Sequence, residues 1–180
     1  MHQKAIVLDE SLPGAHAALG FVKMLQKQYA QATAEIERAL ALDPNSTTGY
    51  ANLAWLLMSV GRPEEAIEAA KKVVRFDPRQ VQIQGLHVLS QAYVHAGRYE
   101  EAIPVLKQVL AYNPNNYIAH WGLVVSYSEL GREEEARAAG AEILRIMPQF
   151  SIEKWKPMAP YKDPAVTERF AAAMRKAGLK

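Results

Sequence analysis

The chain has 180 residues, no cysteine and a formal net charge of +2 at pH 7. The lack of cysteine excludes disulfides, thiol chemistry and cysteine metal sites, and so small a net charge gives no electrostatic bias toward nucleic acid. Because no signal peptide opens the chain and no apolar run is long enough to span a bilayer, we expect a cytoplasmic protein whose segment here contacts neither membrane nor nucleic acid.

Proline marks a repeat along the chain, since Pro44, Pro78, Pro114 and Pro148 follow one another at intervals of 34, 36 and 34 residues. A period near 34 is typical of a solenoid built from helix-turn-helix repeats. The pattern Gly-Arg-x-Glu-Glu-Ala recurs between the prolines, where glycine ends one helix and the glutamates begin the next, near the positive end of its dipole. The pattern occupies residues 61–66, 97–102 and 131–136.

The residues before the first complete repeat look like the end of another one. Residues 5–9 (Ala-Ile-Val-Leu-Asp) match residues 39–43 (Ala-Leu-Ala-Leu-Asp) at the end of a predicted second helix. A single solenoid repeat cannot bury its apolar face alone. We therefore expect residues 1–12 to be the tail of a truncated preceding repeat, in a chain cut from a longer one; a naturally short start is the alternative.

Four repeats follow, and their apolar residues have the helical period. In the second repeat the buried faces are predicted to carry Tyr50, Leu53, Ala54 and Leu57, then Ala66, Ala70, Val73 and Val74. The order of a large residue, Leu-Gly or Leu-Ala, Tyr, Ala, Ala and Pro resembles the tetratricopeptide repeat. The resemblance implies an all-α, right-handed superhelix, an α-solenoid of helix-turn-helix repeats whose first helices line a concave groove. The predicted repeats are 13–46, 47–80, 81–116 and 117–150.

Residues 151–180 depart from the period and predict a C-terminal capping segment. Ser151 and Asp163 are suited to cap two helices, and Trp155 and Phe170 lie on their apolar faces. We expect this segment to cover the open end of the fourth repeat, because solenoids need terminal caps. The run also resembles the C-terminal end of bacterial proteins in which tetratricopeptide repeats follow an adenylate or guanylate cyclase domain, or a winged-helix domain. That resemblance implies a bacterial origin and a role in signalling.

The groove positions are predicted by projecting the repeat pattern onto the first helices. Aromatic residues and methionine are frequent there, and both suit adaptable apolar recognition. Asn52 also resembles the asparagine of repeat domains that clamp a peptide's terminal carboxylate, although the basic residues of that clamp are replaced. The predicted peptide-binding groove comprises Phe21, Met24, Asn52, Trp55, Met58, His87, Gln91, Trp121 and Val125. The alternative for each residue is packing against a neighbouring helix.

No arrangement of residues predicts catalysis. The histidines are dispersed, the glutamate pairs are explained by the helix dipole, and there is no phosphate loop or nucleophile motif. We expect no enzyme, no metal and no cofactor. The first hypothesis is a protein-interaction scaffold that binds a peptide or helix, or a second copy, in its groove. The alternatives are a regulatory C-terminal segment of a multidomain signalling protein, acting by intramolecular contact or dimerisation, and a sensor of a small apolar ligand.

Overall fold

A computed structural model describes residues 12–76 and 82–180 of the chain. The predicted tail of a preceding repeat falls on residues 1–11, which lie outside the described residues. The helices are α1 Pro13–Leu25, α2 Tyr29–Leu42, α3 Thr47–Ser59, α4 Pro63–Phe76, α5 Gln82–His95, α6 Tyr99–Tyr112, α7 Tyr117–Glu129, α8 Glu133–Ile146, α9 Ile152–Met158 and α10 Pro164–Lys176. No strand occurs within these described ranges, so the predicted all-α class is confirmed.

The predicted helix ends are formed as the sequence suggests. Gly61, Gly97 and Gly131 have φ values of 82°, 73° and 73°, the left-handed conformation that glycine adopts without strain. The turns at Pro44 and Pro114 are followed by capped helices: the side chain of Ser46 accepts from the N–H of Gly49 at 3.2 Å, and that of Asn116 accepts from the N–H of Ala119 at 3.0 Å. A left-handed residue thus ends the first helix of each pair, Lys27 in the first pair and glycine in the other three, and the eight helices α1 to α8 form four successive pairs.

The described chain divides into two compact units. Among the described residues, the first comprises 12–76, 82–88 and Pro160–Lys162. Its core contains Met24, Ala32, Ile36 and Leu56, where the second helix of one repeat meets the first helices around it. The C-terminal segment contributes Pro160, whose carbonyl oxygen accepts from the Tyr29 hydroxyl at 3.2 Å. The N–H of Lys162 donates to the carbonyl oxygen of Ser59 at 2.8 Å.

The second unit comprises Leu89–Ala159 and Asp163–Lys180. Helix α10 packs on α7 and α8, with Phe170 fully buried. A Cβ at Gly140 would lie 3.6 Å from the Cβ of Ala177, so the small residue leaves the space that the C-terminal segment fills. The expected burial of the two aromatic residues is confirmed for Phe170, but it is wrong for Trp155, whose side chain is only half-buried.

Candidate functional site

A cleft of about 390 Å³ lies on the first helices of the first unit. It is walled by the aromatic rings of Phe21 on α1 and Trp55 on α3, both half-buried. Aromatic rings that are anchored but not covered offer a ligand a large contact area at a small cost in side-chain entropy. The complete lining is Ala18, Phe21, Val22, Ala51, Asn52, Trp55 and Gln84.

Asn52 brings a polar group into this apolar cleft. Its Nδ2 donates to the carbonyl oxygen of Ala17 at 2.8 Å, which fixes the orientation of the amide. A side-chain amide has two donor hydrogens and an acceptor oxygen, so this bond uses one part of its capacity. The amide is therefore held in place and keeps the chemistry needed to bond the backbone of a peptide.

His87 adjoins the aromatic wall from α5. Its ring centroid is 6.1 Å from that of Trp55, with the rings tilted by 47°. Burial lowers the pKa of the His87 imidazole below its usual value, because desolvation disfavours the charged form. At neutral pH His87 is therefore an uncharged aromatic neighbour of the cleft, consistent with apolar binding.

The two predicted groove methionines do not line the cleft. Met24 is 1% exposed and Met58 is 3% exposed, and Met24 packs in the core with Ile36 and Leu56. Each residue turns a helix by about 100°, so a position three residues after Phe21 or Trp55 lies about 60° around the helix. That rotation directs the methionines inward. Their predicted exposure on the groove is wrong.

Three predicted groove residues of the second unit are also buried, namely Gln91, Trp121 and Val125. The Trp121 ring meets the ring of Phe170 edge-on, at 4.9 Å between centroids, and lies 6.4 Å from that of Trp155. The C-terminal segment therefore covers part of the predicted groove surface in this unit. The segment packs on both helices of the fourth predicted repeat, α7 and α8, as expected, and Phe170 lies against the first of them.

Sequence projection missed several lining residues of the cleft. Ala18 lies three residues before the predicted Phe21, and Val22 lies one residue after it. Their exposure shows that the open face of α1 is rotated slightly from the projected one. Ala18 and Ala51 are small, and this gives the cleft depth beside the two aromatic rings.

A second cleft of about 390 Å³ lies between α3 and α4, and apolar Leu53 and Leu57 are among the residues that line it. Two of its glutamates are already paired, Glu65 with Arg62 and Glu68 with Lys71.

The described residues contain no group of three or more histidine, aspartate or glutamate side chains placed to hold a metal ion. Over the same ranges, none of the helices has the length and apolarity to cross a bilayer.

The family model of the tetratricopeptide repeat matches residues 23–88 and 93–153, more than half of the chain. A curated protein of Saccharomyces cerevisiae (strain ATCC 204508 / S288c), small glutamine-rich tetratricopeptide repeat-containing protein 2, is 44% identical over 48 residues. That match covers 27% of this chain and 14% of the yeast protein, so the chain spans only a small part of this relative's length.

Solved structures share the fold. PilW, a type IV pilus biogenesis factor, is 18% identical with a TM-score of 0.74, covering 98% of this chain and 79% of PilW. TTC0263, a protein of this repeat type from Thermus thermophilus, is 25% identical with a TM-score of 0.69, covering 91% and 99%. YrrB, reported as a protein of this repeat type "with an unusual peptide-binding site", is 18% identical with a TM-score of 0.59, covering 98% and 90%.

Proposed function

This chain belongs to the tetratricopeptide repeat family, and on that basis we propose that it is a non-catalytic scaffold that binds a peptide or helix of a protein partner. The site is the cleft between Phe21 and Trp55, with Asn52 as its polar contact and His87 as an uncharged neighbour. The observation that carries this proposal is the pair of half-buried aromatic rings around an oriented amide. A few aromatic anchors usually contribute most of the binding free energy in such interfaces.

The binding mode follows from the composition of the cleft. The rings take an apolar side chain, and the amide bonds a backbone N–H or C=O group, the combination by which grooves recognise short segments. YrrB, which has the same fold, is a protein with a peptide-binding site, and this likeness supports the same class of ligand here. The proposal includes four repeats, at 13–46, 47–80, 81–116 and 117–150. It also includes a bacterial source and a cytoplasmic location.

The proposal is tested with peptides selected from a random library on the full chain, with affinities measured by isothermal titration calorimetry. Phe21→Ala combined with Trp55→Ala removes both walls of the cleft, and we expect it to weaken binding by at least ~2 kcal/mol. Because both rings also pack on the core of this unit, circular dichroism must first show that the variant keeps its helical content. The matched control is Tyr112→Ala, which removes an aromatic residue that is 58% exposed on α6. Equal losses in the two variants would exclude the cleft.

A second candidate is a regulatory C-terminal segment of a multidomain signalling protein, of the cyclase-linked or winged-helix-linked kind, acting by intramolecular contact or dimerisation. It is favoured by the C-terminal segment, which already packs on α7 and α8 within its own chain. Reading the gene upstream of this segment separates the two: a cyclase or winged-helix domain there supports regulation. Light scattering of the purified chain tests dimerisation. A monomer at all concentrations would exclude regulation by dimerisation of this segment.

A further inference from the structure

The surface of α7 beneath the C-terminal segment is equivalent, by repeat position, to the open cleft of the first unit. Trp121 occupies the position of Ala51, and Val125 that of Trp55. Ala51 and Trp55 line the open cleft, whereas Trp121 and Val125 are buried. In the second unit, therefore, the chain's own C-terminal segment occupies the kind of surface that is left open in the first.

Phe170 is the anchor of this contact. Its ring lies 4.9 Å from that of Trp121 and 5.1 Å from that of His95, edge-on to both. A hydrogen bond from the Ser128 hydroxyl to the carbonyl oxygen of Ala173, at 3.0 Å, holds the backbone of α10 nearby. The segment is thus anchored by an aromatic side chain in an aromatic site.

Two buried polar groups of this unit, one on α5 and one on α7, lack partners among the described residues. Gln91 is 0% exposed and Trp121 is 7% exposed, yet Gln91 Oε1 and Trp121 Nε1 have no hydrogen-bond partner among the described residues. The amide of Gln91 is held by a bond from Nε2 to the carbonyl oxygen of Ile118 at 3.2 Å. A buried unpartnered acceptor and donor each cost free energy.

Helix α10 gives these two groups no partner: most of its backbone N–H and C=O groups bond one another, and the bond from the Ser128 hydroxyl to the Ala173 carbonyl oxygen reaches neither of them. An extended peptide presents free N–H groups, which could donate to Gln91 Oε1, and free C=O groups, which could accept from Trp121 Nε1. We propose that α10 is an internal ligand that masks a second binding surface, and that an extended peptide with an aromatic anchor displaces it. For its class of ligand this inference rests on the proposed function.

A reversible lock on α10 provides the test. A Cβ at position 140 lies 3.6 Å from the Cβ of Ala177, within the range that a disulfide requires. It also lies 3.0 Å from the carbonyl oxygen of Ala177, so the backbone there must shift by a few tenths of an ångström to admit the cysteine. Because the chain has no cysteine, Gly140→Cys with Ala177→Cys creates one disulfide, which holds the segment in place when oxidised and releases it when reduced. The probe is a library of short peptides with a central Phe or Trp, selected on the reduced full chain.

We expect selected peptides to bind the reduced form at least about tenfold more tightly than the oxidised form. Phe170→Ala, which removes the anchor without any cysteine, gives the same gain over wild type. Trp121→Phe keeps the ring contact but removes Nε1, so it weakens the peptide while the docked segment retains its stability. Equal affinity for the oxidised and reduced forms, together with no gain in Phe170→Ala, overturns the inference.

The failure of this inference is distinguishable from that of the proposed function. A peptide that binds only the Phe21–Trp55 cleft binds oxidised and reduced forms equally and is lost in Phe21→Ala with Trp55→Ala. Such a result keeps the proposed function and rejects the masked surface. If the affinity of a peptide depends on the oxidation of the disulfide but not on the Phe21→Ala with Trp55→Ala change, the masked surface is supported and the Phe21–Trp55 cleft is rejected.

Discussion

At the scale of single residues, one position departs from the rule that glycine ends the first helix of each repeat. Lys27 has φ 60°, where Gly61, Gly97 and Gly131 have values from 73° to 82°. A side chain in the left-handed region is strained by its Cβ, which lies close to the backbone. The first repeat therefore retains a local cost that the other three avoid.

Replacing Lys27 by glycine is expected to stabilise the chain by about 1 kcal/mol, since relief of the Cβ strain exceeds the greater freedom of glycine in the unfolded state. The free energy of unfolding in urea measures the change. Gly97→Lys is the matched control, and it should destabilise by a similar amount. A loss of stability in Lys27→Gly would mean that the lysine side chain contributes more than its backbone costs.

His95 makes the second unit sensitive to acid. Burial beside Trp121 and Phe170 lowers the pKa of its imidazole to about 4, and the nearby charge of Arg169 acts in the same direction. The unfolded chain, with a histidine pKa near 6.5, therefore binds a proton between about pH 6.5 and about pH 4 that the folded chain does not. Stability from this group is present above pH 6.5 and is lost as the pH falls through that window.

Between about pH 7 and about pH 5 we expect the loss to be on the order of 2 kcal/mol. His95→Asn keeps a donor near the carbonyl oxygen of Gln91 but does not titrate, so its urea unfolding should have a shallower pH dependence. The pH dependence from His87, whose pKa is also lowered, remains in both proteins. Identical slopes in wild type and His95→Asn would show that folding does not lower the pKa of His95.

At the scale of elements, the helices followed from the sequence more readily than their contacts did. Glycine and proline spacing defined the helix pairs, because turn chemistry is local. The position of α10 on α7 was not predictable from the period, since it depends on packing between residues distant in sequence. Gly140 was the one local signal: its missing side chain marked a space, and Ala177 and Leu179 fill it.

The C-terminal segment should contribute strongly to stability through Phe170. Phe170→Ala leaves a cavity between Trp121 and His95 and is expected to cost about 3 kcal/mol. Trp155→Ala is the comparison, and because Trp155 is only half-buried it should cost less. Deleting residues 151–180 should lower Tm and expose the apolar surface of α7 to a hydrophobic dye. An unchanged Tm after the deletion would reject a capping role.

At the scale of the whole molecule, one repeat pattern gives two units with different inner surfaces. In the first, Phe21, Asn52 and Trp55 border an open cleft. In the second, the equivalent surface is covered by the chain's own Phe170. Projection of the repeat located both surfaces, but it did not distinguish open from covered positions, because identical helix positions acquire different neighbours. It also assigned Met24 and Met58 outward, where a rotation of about 60° decides between groove and core.

The central claim is that a peptide binds at Trp55, and the indole N–H resonances of the full chain test it directly. The chain has three tryptophans, so each indole signal can be assigned with single Trp→Phe variants. On titration with a peptide selected on the wild-type chain, the Trp55 signal should shift and saturate at the affinity measured by calorimetry. If the peptide binds while the Trp55 signal stays unchanged, the Phe21–Trp55 cleft is not the binding site.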